Sequence, residues 1–389
     1  RVNMSDKLSK LSREEIDTLI SRYYGNERVA DLIKEYKLDL SPSSLVNQFP
    51  PEILDDKCIY CDVNIIKPRM PKTYHSRGIE NMYCPNCKHD PVGFCLCNNC
   101  QEQEQKQRDL ARLHKQAFID KWITIDEDKM IDLDSLTFTD RVYLGALLRE
   151  GLSEDCDYIM PIIDFVNPIA PTDEFITEII QRLFDIKAIV IHPNTDYRSI
   201  EIIDYENGQY NYYPREVKLA LNIRNEGLSQ IEIVESLISP TDILESDYEE
   251  AFSLWKKNAL YESIEFFLYL IRKHFRINYS IGEKTKTVLN DLLNDYSVAQ
   301  IYRILYYARE RATLFESDFG ATKRHASNTI IGKAQSYGEY IKSEGKDMFK
   351  YKRIKECPES ALSRFLFERI LKIGNRGFNE KPSMSHIAK

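Results

Sequence analysis

No run in the sequence approaches the roughly 20 consecutive apolar residues that a membrane span requires. Glycine and proline are scarce, 14 and 15 of 389 residues, which excludes collagen-like and low-complexity chains. There is no P-loop, no G-x-S-x-G elbow and no H-E-x-x-H helix. The common signatures of nucleotide hydrolysis, acyl transfer and zinc proteolysis are therefore missing. An RNase signature with arginine five to seven residues before a histidine is missing at His325, where Asp318, Phe319 and Gly320 occupy those places. No secretion-signal pattern opens the chain, and Arg1, Val2 and Asn3 ahead of Met4 read as an expression remnant. The expectation is a soluble, cytoplasmic protein that works by binding. Its 43% hydrophobic and 29% charged residues are ordinary globular chemistry, enough for two to three domains.

Charge is unevenly placed. Residues 1–120 carry 18 basic and 18 acidic side chains, residues 121–250 carry 10 and 28, and residues 251–389 carry 25 and 15. The overall charge of −8 thus hides an acidic middle and a basic C-terminal third. The middle should repel nucleic acid, and the last third should attract it or an acidic protein face. Docking of the two regions on each other is the plainer alternative.

Seven of the nine cysteines lie between positions 58 and 100. They form Cys58-x-x-Cys61, Cys84-x-x-Cys87-Lys88-His89 and Cys95-x-Cys97-x-x-Cys100. A Cys-x-x-Cys pair turns both thiolates toward one point, and two pairs complete a tetrahedral Zn(II) site with Zn–S distances of about 2.3 Å. The 22 residues between the first two pairs fit a zinc ribbon. A disulfide framework does not suit a large chain without a secretion signal and with an odd cysteine count in the cluster. Cys95, Cys97 and Cys100 need a fourth ligand, either His89 or His75, which would give a second zinc. One site with spare thiols, or Cys58 and Cys61 paired with Cys97 and Cys100, are the other arrangements that the spacing permits. No open coordination position with a general base is suggested, so the zinc is expected to be structural.

Ahead of the cysteines, Ser12 and Glu15 form a capping box. Ile16, Leu19, Ile20 and Tyr23 follow at helical spacing. Val29, Leu32, Ile33 and Tyr36 mark a second helix, and Ser41-Pro42 is expected to open a third with Leu45, Val46 and Phe49 buried. The run from Val29 to Pro51 resembles the helix-turn-helix of resolvases and transposases, and the zinc ribbon after it resembles a transposase N-terminal architecture. The resemblance covers residues 12–100. It implies that the last helix enters the major groove and exposes Ser43, Ser44, Asn47 and Gln48 to base edges or phosphates. It also implies a bacterial-type protein from a mobile-element or phage-defence locus. The proposed reading helix carries no arginine or lysine.

Residues 101–120 read as a polar connecting helix. In the middle region, Thr139-Asp140 precedes a helix, Thr172 begins a stronger one, and residues 188–191 form an apolar strand. Strands at 199–203 and 210–213 flank the turn Glu206-Asn207-Gly208. Helices followed by a hairpin give a winged-helix pattern, here too acidic to meet a duplex. Asp204, Glu216 and Lys218 match the PD-(D/E)xK nuclease spacing, in which carboxylates hold Mg(II) and lysine steadies water. Pro214 interrupts the strand that this chemistry needs. The C-terminal third is helical: a buried helix pair over 247–275, then helices from 288, 297, 321 and about 360. Lys350, Lys352, Arg353 and Lys355 with interleaved Tyr351 suit backbone contacts and base stacking. Cys156 and Cys357 read as packing residues.

The expected fold is mainly α with small β elements. Its parts are a helix-turn-helix over 4–51, a zinc module over 52–100 and a connecting helix over 101–120. An acidic winged-helix-like domain over 121–245 and a basic helical domain over 246–389 complete it. The expected function is DNA binding without catalysis, stabilised by zinc. Two zinc ions are expected, held by Cys58, Cys61, Cys84, Cys87, His89, Cys95, Cys97 and Cys100. The alternatives are an adaptor that docks a partner enzyme through the zinc module and acidic middle, with a homodimer through the middle region also expected as an option, and a metal-dependent nuclease.

Overall fold

A computed structural model describes residues 7–25, 27–72, 81–240 and 243–388. The chain is mainly helical, with four two-stranded sheets among the described residues. It divides into two units, Arg1–His114 and Lys115–Lys389.

The first unit begins with α1 (Arg13–Tyr24) and α2 (Val29–Glu35). Ser12 accepts from the Glu15 amide and Glu15 reaches back to the Ser12 amide at 2.7 Å, the reciprocal cap expected of this sequence. Ile16, Leu19, Ile20 and Tyr23 are buried as the periodicity requires, against Leu32, Leu45 and Phe49. Arg22 ties the helices together, pairing with Glu27 at 2.7 Å and Glu35 at 2.8 Å.

The third helix does not form as expected. Residues 41–45 turn, and only the three residues Val46–Gln48 coil, as a 3-10 helix. Serine chemistry explains this. The Ser44 hydroxyl donates to the Ser41 carbonyl at 2.9 Å, and the Ser41 hydroxyl donates to that of Ser44 at 2.9 Å. Such local bonds offer the backbone an alternative to the helix, and Pro50-Pro51 leaves no room to extend it. Leu45, Val46 and Phe49 are buried nonetheless. Strands β1 (Glu52–Lys57) and β2 (Asn64–Lys67) then pair antiparallel, and Tyr83 bridges to Ile66.

Helix α3 (Asn98–Trp122) is longer than the connector expected at 101–120. In the second unit its end is buried through Phe118 and Ile119. There follow β3 (Ile131–Asp132), α4 (Phe138–Gly151), α5 (Asp173–Asp185), β4 (Ile189–Ile191), the hairpin β5 (Ile200–Asp204) and β6 (Gln209–Tyr212), β7 (Leu219–Leu221) and β8 (Ile223–Arg224). Strand β4 pairs antiparallel with β7, and β3 parallel with β8. The hairpin is not a free wing: Phe118 packs on Tyr205 and Tyr210, and Trp122 Nε1 donates to the Tyr205 carbonyl at 3.1 Å. Gly208 has φ +68° and lies so close to the Trp122 ring that a Cβ would press into it.

Helices α6 (Gln230–Ile238), α7 (Tyr248–Phe275), α8 (Glu283–Leu292), α9 (Val298–Phe319), α10 (Lys323–Ser343) and α11 (Ala361–Arg364) follow, the last running into a π-helix over Phe365–Ile370, and the short α12 (Arg376–Asn379) comes after it. α7 is one helix of 28 residues, not a pair; nothing within 248–275 is glycine or proline, so nothing breaks it. One hydrophobic core runs from Ile119 to Ile387, uninterrupted at the expected division between 245 and 246. The acidic middle and the basic third meet across it. Lys286 pairs with Glu174 at 2.7 Å, and Lys257 with Glu178 while lying over the Phe175 ring.

A polar group is set into this core on α7. Glu262 is buried, takes Arg353 Nη2 at 2.9 Å and accepts from the Ser363 hydroxyl at 2.7 Å. Burial, reinforced by Glu262, pushes the neighbouring Glu265 carboxyl up to about 8 from an ordinary 4.5. The folded state therefore holds a proton that the unfolded chain releases above pH 4.5. Stability from this group is full below that pH and is lost as pH rises toward 8. Between pH 5 and 8, unfolding of the second unit is expected to become easier by roughly 3–5 kcal/mol, and Glu265→Gln to flatten that dependence. Both tryptophans, Trp122 and Trp255, lie in this unit, so urea titrations followed by their fluorescence read it separately from the cysteine cluster. An equal pH dependence in the two proteins overturns the assignment.

Candidate metal centre

Two turns of the same geometry build the first cluster. The Cys58 amide donates to the Val63 carbonyl at 2.8 Å and the Asp62 amide to the Cys58 carbonyl at 2.9 Å. The Cys84 amide donates to the His89 carbonyl at 2.8 Å and the Lys88 amide to the Cys84 carbonyl at 2.9 Å. The residue after the second cysteine takes the left-handed conformation in both, Asp62 with φ 52° and Lys88 with φ 61°. That reversal folds each Cys-x-x-Cys so that its sulfurs face one point. Strands β1 and β2 flank the first turn, and the Tyr83–Ile66 bridge places the second beside it.

Cys58, Cys61, Cys84 and Cys87 have ligand atoms all within 4.8 Å of one another. Cys58 Sγ and Cys87 Sγ are 3.6 Å apart. Tetrahedral zinc with Zn–S near 2.3 Å requires about 3.8 Å between sulfurs, whereas a disulfide requires about 2.05 Å. The geometry is that of a metal site. His89, Cys95, Cys97 and Cys100 form the second cluster, again within 4.8 Å, with His89 Nδ1 3.2 Å from Cys100 Sγ. The described residues group in one of the arrangements that the spacing left open. Cys58 and Cys61 join Cys84 and Cys87, and His89 joins the last three cysteines. His75 lies outside the described residues.

Seven thiols and one imidazole are the donor set that suits Zn(II), and four ligands close each site in the manner of structural zinc. The hydrogen bond with Cys87, with burial, pushes the Cys61 thiol up to about 12; a divalent cation reverses this by stabilising the thiolates. At Cys95, burial is outweighed by amides that donate to its sulfur, Asp90 at 3.2 Å and Cys97 at 3.4 Å, and the thiol falls to about 6. Zinc in these sites would supply folding energy and orientation of the loops.

The two sites share parts. The His89 carbonyl closes the second turn of the first site, while its ring belongs to the second. Tyr60, from the first turn, sets its ring edge-on to His89 at 5.0 Å and its hydroxyl 3.5 Å from Cys100 Sγ. The sequence does not single out Tyr60, since an aromatic between two cysteines carries no spacing signal.

The other expected site residues are dispersed. Ser43 and Ser44 bond within their own turn, Asn47 is exposed and Gln48 half-buried. Lys350, Lys352 and Lys355 are exposed. Arg353 is not a free cation: it pairs with buried Glu262 and lies over the Phe378 ring at 4.3 Å. Tyr351 accepts from Arg303 at 2.9 Å and packs edge-on against Tyr306. The nuclease-like triplet has other occupations. Asp204 accepts from the Glu206 and Asn207 amides to cap its own turn, and Lys218 lies 4.0 Å over the Tyr158 ring. Glu216 and Lys218 precede β7 instead of lying on it. Set against known proteins, the chain matches no family model, no curated protein and no solved structure.

Proposed function

We propose that the chain is a zinc-stabilised adaptor that docks a protein partner through its zinc module, with the acidic middle as a further contact surface. The observation that carries this reading is a set of large apolar side chains held in water beside the metal ligands. Ile59 is 76% exposed, Val92 68%, Phe94 85% and Leu96 66%. Ile59 sits between Cys58 and Cys61, and Phe94 and Leu96 flank Cys95. Folding gains nothing from apolar groups presented this way, and large apolar side chains held so far into water favour contact with another protein. The test is cross-linking of the native chain in its host followed by mapping of the linked positions. Contacts are expected at 59–60 and 92–96, and Phe94→Ser with Leu96→Ser should abolish them while two zinc equivalents remain. Unchanged cross-links in that double variant sink the reading.

Nucleic-acid binding is the second reading. It is supported by Phe349, 75% exposed, beside the exposed Lys350, Lys352 and Lys355, an aromatic among cations of the kind that stacks a base and meets phosphate. Ser43, Ser44, Asn47 and Gln48 remain the N-terminal candidates for DNA contact. They belong to a turn and a single 3-10 coil, which weakens a helix-turn-helix mode.

A further inference from the structure

Between α9 and α10, with Lys284 of α8 at its edge, lies an open groove of about 800 Å³. Its walls alternate aromatic rings and cations. Tyr307 of α9 and Tyr337 of α10 stack at 3.9 Å with their planes 20° apart. Arg311 lies over Tyr307 at 5.2 Å and bonds its hydroxyl at 3.1 Å. Lys333 lies over Phe315 at 5.6 Å. Asn328, Thr329 and Ser336 add neutral hydrogen-bonding groups, and Asp318 is the carboxylate in the lining.

The cations here differ from others of the basic third. Lys257, Lys286, Lys342 and Arg353 are each neutralised by a carboxylate. Lys284, Arg311 and Lys333 make no ion pair among the described residues. Three cations against one carboxylate leave the groove positive, so its ligand is an anion. Flat rings with cations beside them suit a ligand that is itself flat and carries its negative charge at one end. The volume lies within the roughly 300–1,000 Å³ of small-ligand sites.

We propose that this groove binds a nucleotide unit, a base stacked on the tyrosines with its phosphate on Arg311, Lys333 and Lys284. The unit comes either from a single-stranded nucleic acid or from a free nucleotide. An acidic peptide shares the charge but lacks the stacking surface. Neither the metal ligands nor Lys350, Lys352 and Lys355 line the groove.

The experiment uses the full zinc-loaded chain. Anisotropy of labelled 12-nucleotide poly-U and poly-dT reports the strand, and calorimetry with ATP and UMP reports the free nucleotide. Gly332 lines the groove inside α10, and a Cβ there meets nothing within 4 Å. Gly332→Leu therefore fills the groove while favouring the helix. An affinity loss of tenfold or more with no fall in melting temperature is expected. Arg311→Gln with Lys333→Gln should flatten the log–log salt slope for the strand by about 1.4, at about 0.7 per phosphate neutralised. Binding of 12-mers alone identifies the strand as the source, and binding of ATP or UMP alone identifies the free nucleotide. No binding of either at low salt overturns the proposal, as does a polyglutamate peptide that binds equally well. Strand binding that survives Gly332→Leu but is lost when Lys350, Lys352 and Lys355 are replaced also overturns it, while leaving nucleic-acid binding by those lysines intact.

Discussion

Replacing Cys84 with serine is expected to unfold the zinc module. Cys84 is fully buried, and its sulfur belongs to the first cluster. A structural zinc site contributes on the order of 10 kcal/mol of apparent binding energy, and that energy is folding energy. The few buried groups around it, Cys58, Ile65 and Cys84, make too small a core to hold the module without metal. The damage should not stop at one site. The Cys84 amide holds the His89 carbonyl, so loosening that turn releases the histidine on which the second cluster depends. Elemental analysis should therefore give fewer than one zinc in the variant against two in the native protein, with new protease cleavage within residues 52–100. Cys156→Ser, outside both clusters, should retain both ions. A Cys84→Ser protein that stays folded with two zinc equivalents contradicts the ligand assignment.

The second large effect is expected at Arg353. In sequence it is one cation in a run of four, yet the fold separates it from the others. Its guanidinium faces Glu262, whose side chain is almost wholly out of water. Removing one partner of a buried ion pair leaves an uncompensated charge and costs about 3–5 kcal/mol. Arg353→Ala should lose that much in urea unfolding followed by tryptophan fluorescence. Replacing exposed Lys350, Lys352 and Lys355 together should change stability by less than about 1 kcal/mol. The same triple variant examines the nucleic-acid reading, since taking three cations away from phosphates should flatten a log–log salt slope by roughly 2–3. If Arg353→Ala is as stable as the native chain, the pair with Glu262 does not anchor the core. An unaltered salt slope removes the lysines from any phosphate contact.

What could be read from the sequence followed from local chemistry. The capping box at Ser12 and Glu15, the N-cap at Thr172 and the box at Ser297 and Gln300 each begin a helix in the structure. The hairpin around Gly208 also forms between the two strands anticipated. The metal ligands were legible because zinc imposes residue type and spacing together. Their partition into two sites was not, since several pairings satisfy the same spacing and only the chain's path selects one. Helix α6 is absent from the sequence-based expectation although Ser229 and Glu232 form a capping box of the same kind. The failure at residues 41–49 has a different origin: apolar spacing placed Leu45, Val46 and Phe49 correctly inside, but burial alone does not specify a helix. Strand β7 escapes a local reading because its reason lies in β4, nearly 30 residues earlier, as a partner. The aromatic groove was invisible for the same reason: Tyr307 and Tyr337 are 30 positions apart on separate helices.

The double use of His89 sets where the chain can tolerate a change of length. Its carbonyl serves one metal site and its ring the other, so the distance from Cys84 to His89 is fixed from both sides. One residue added or removed there moves the backbone acceptor and the imidazole together, and neither site survives. The loop from Asp90 to Phe94 is under a looser constraint. It has to return Cys95 to the second cluster and its sulfur to the Asp90 amide, with the Asp90 side chain accepting from the Val92 and Gly93 amides along the way. Insertions in that loop would lengthen the apolar rim while leaving the metal cages in register, so the module can vary what it touches without altering what holds it together.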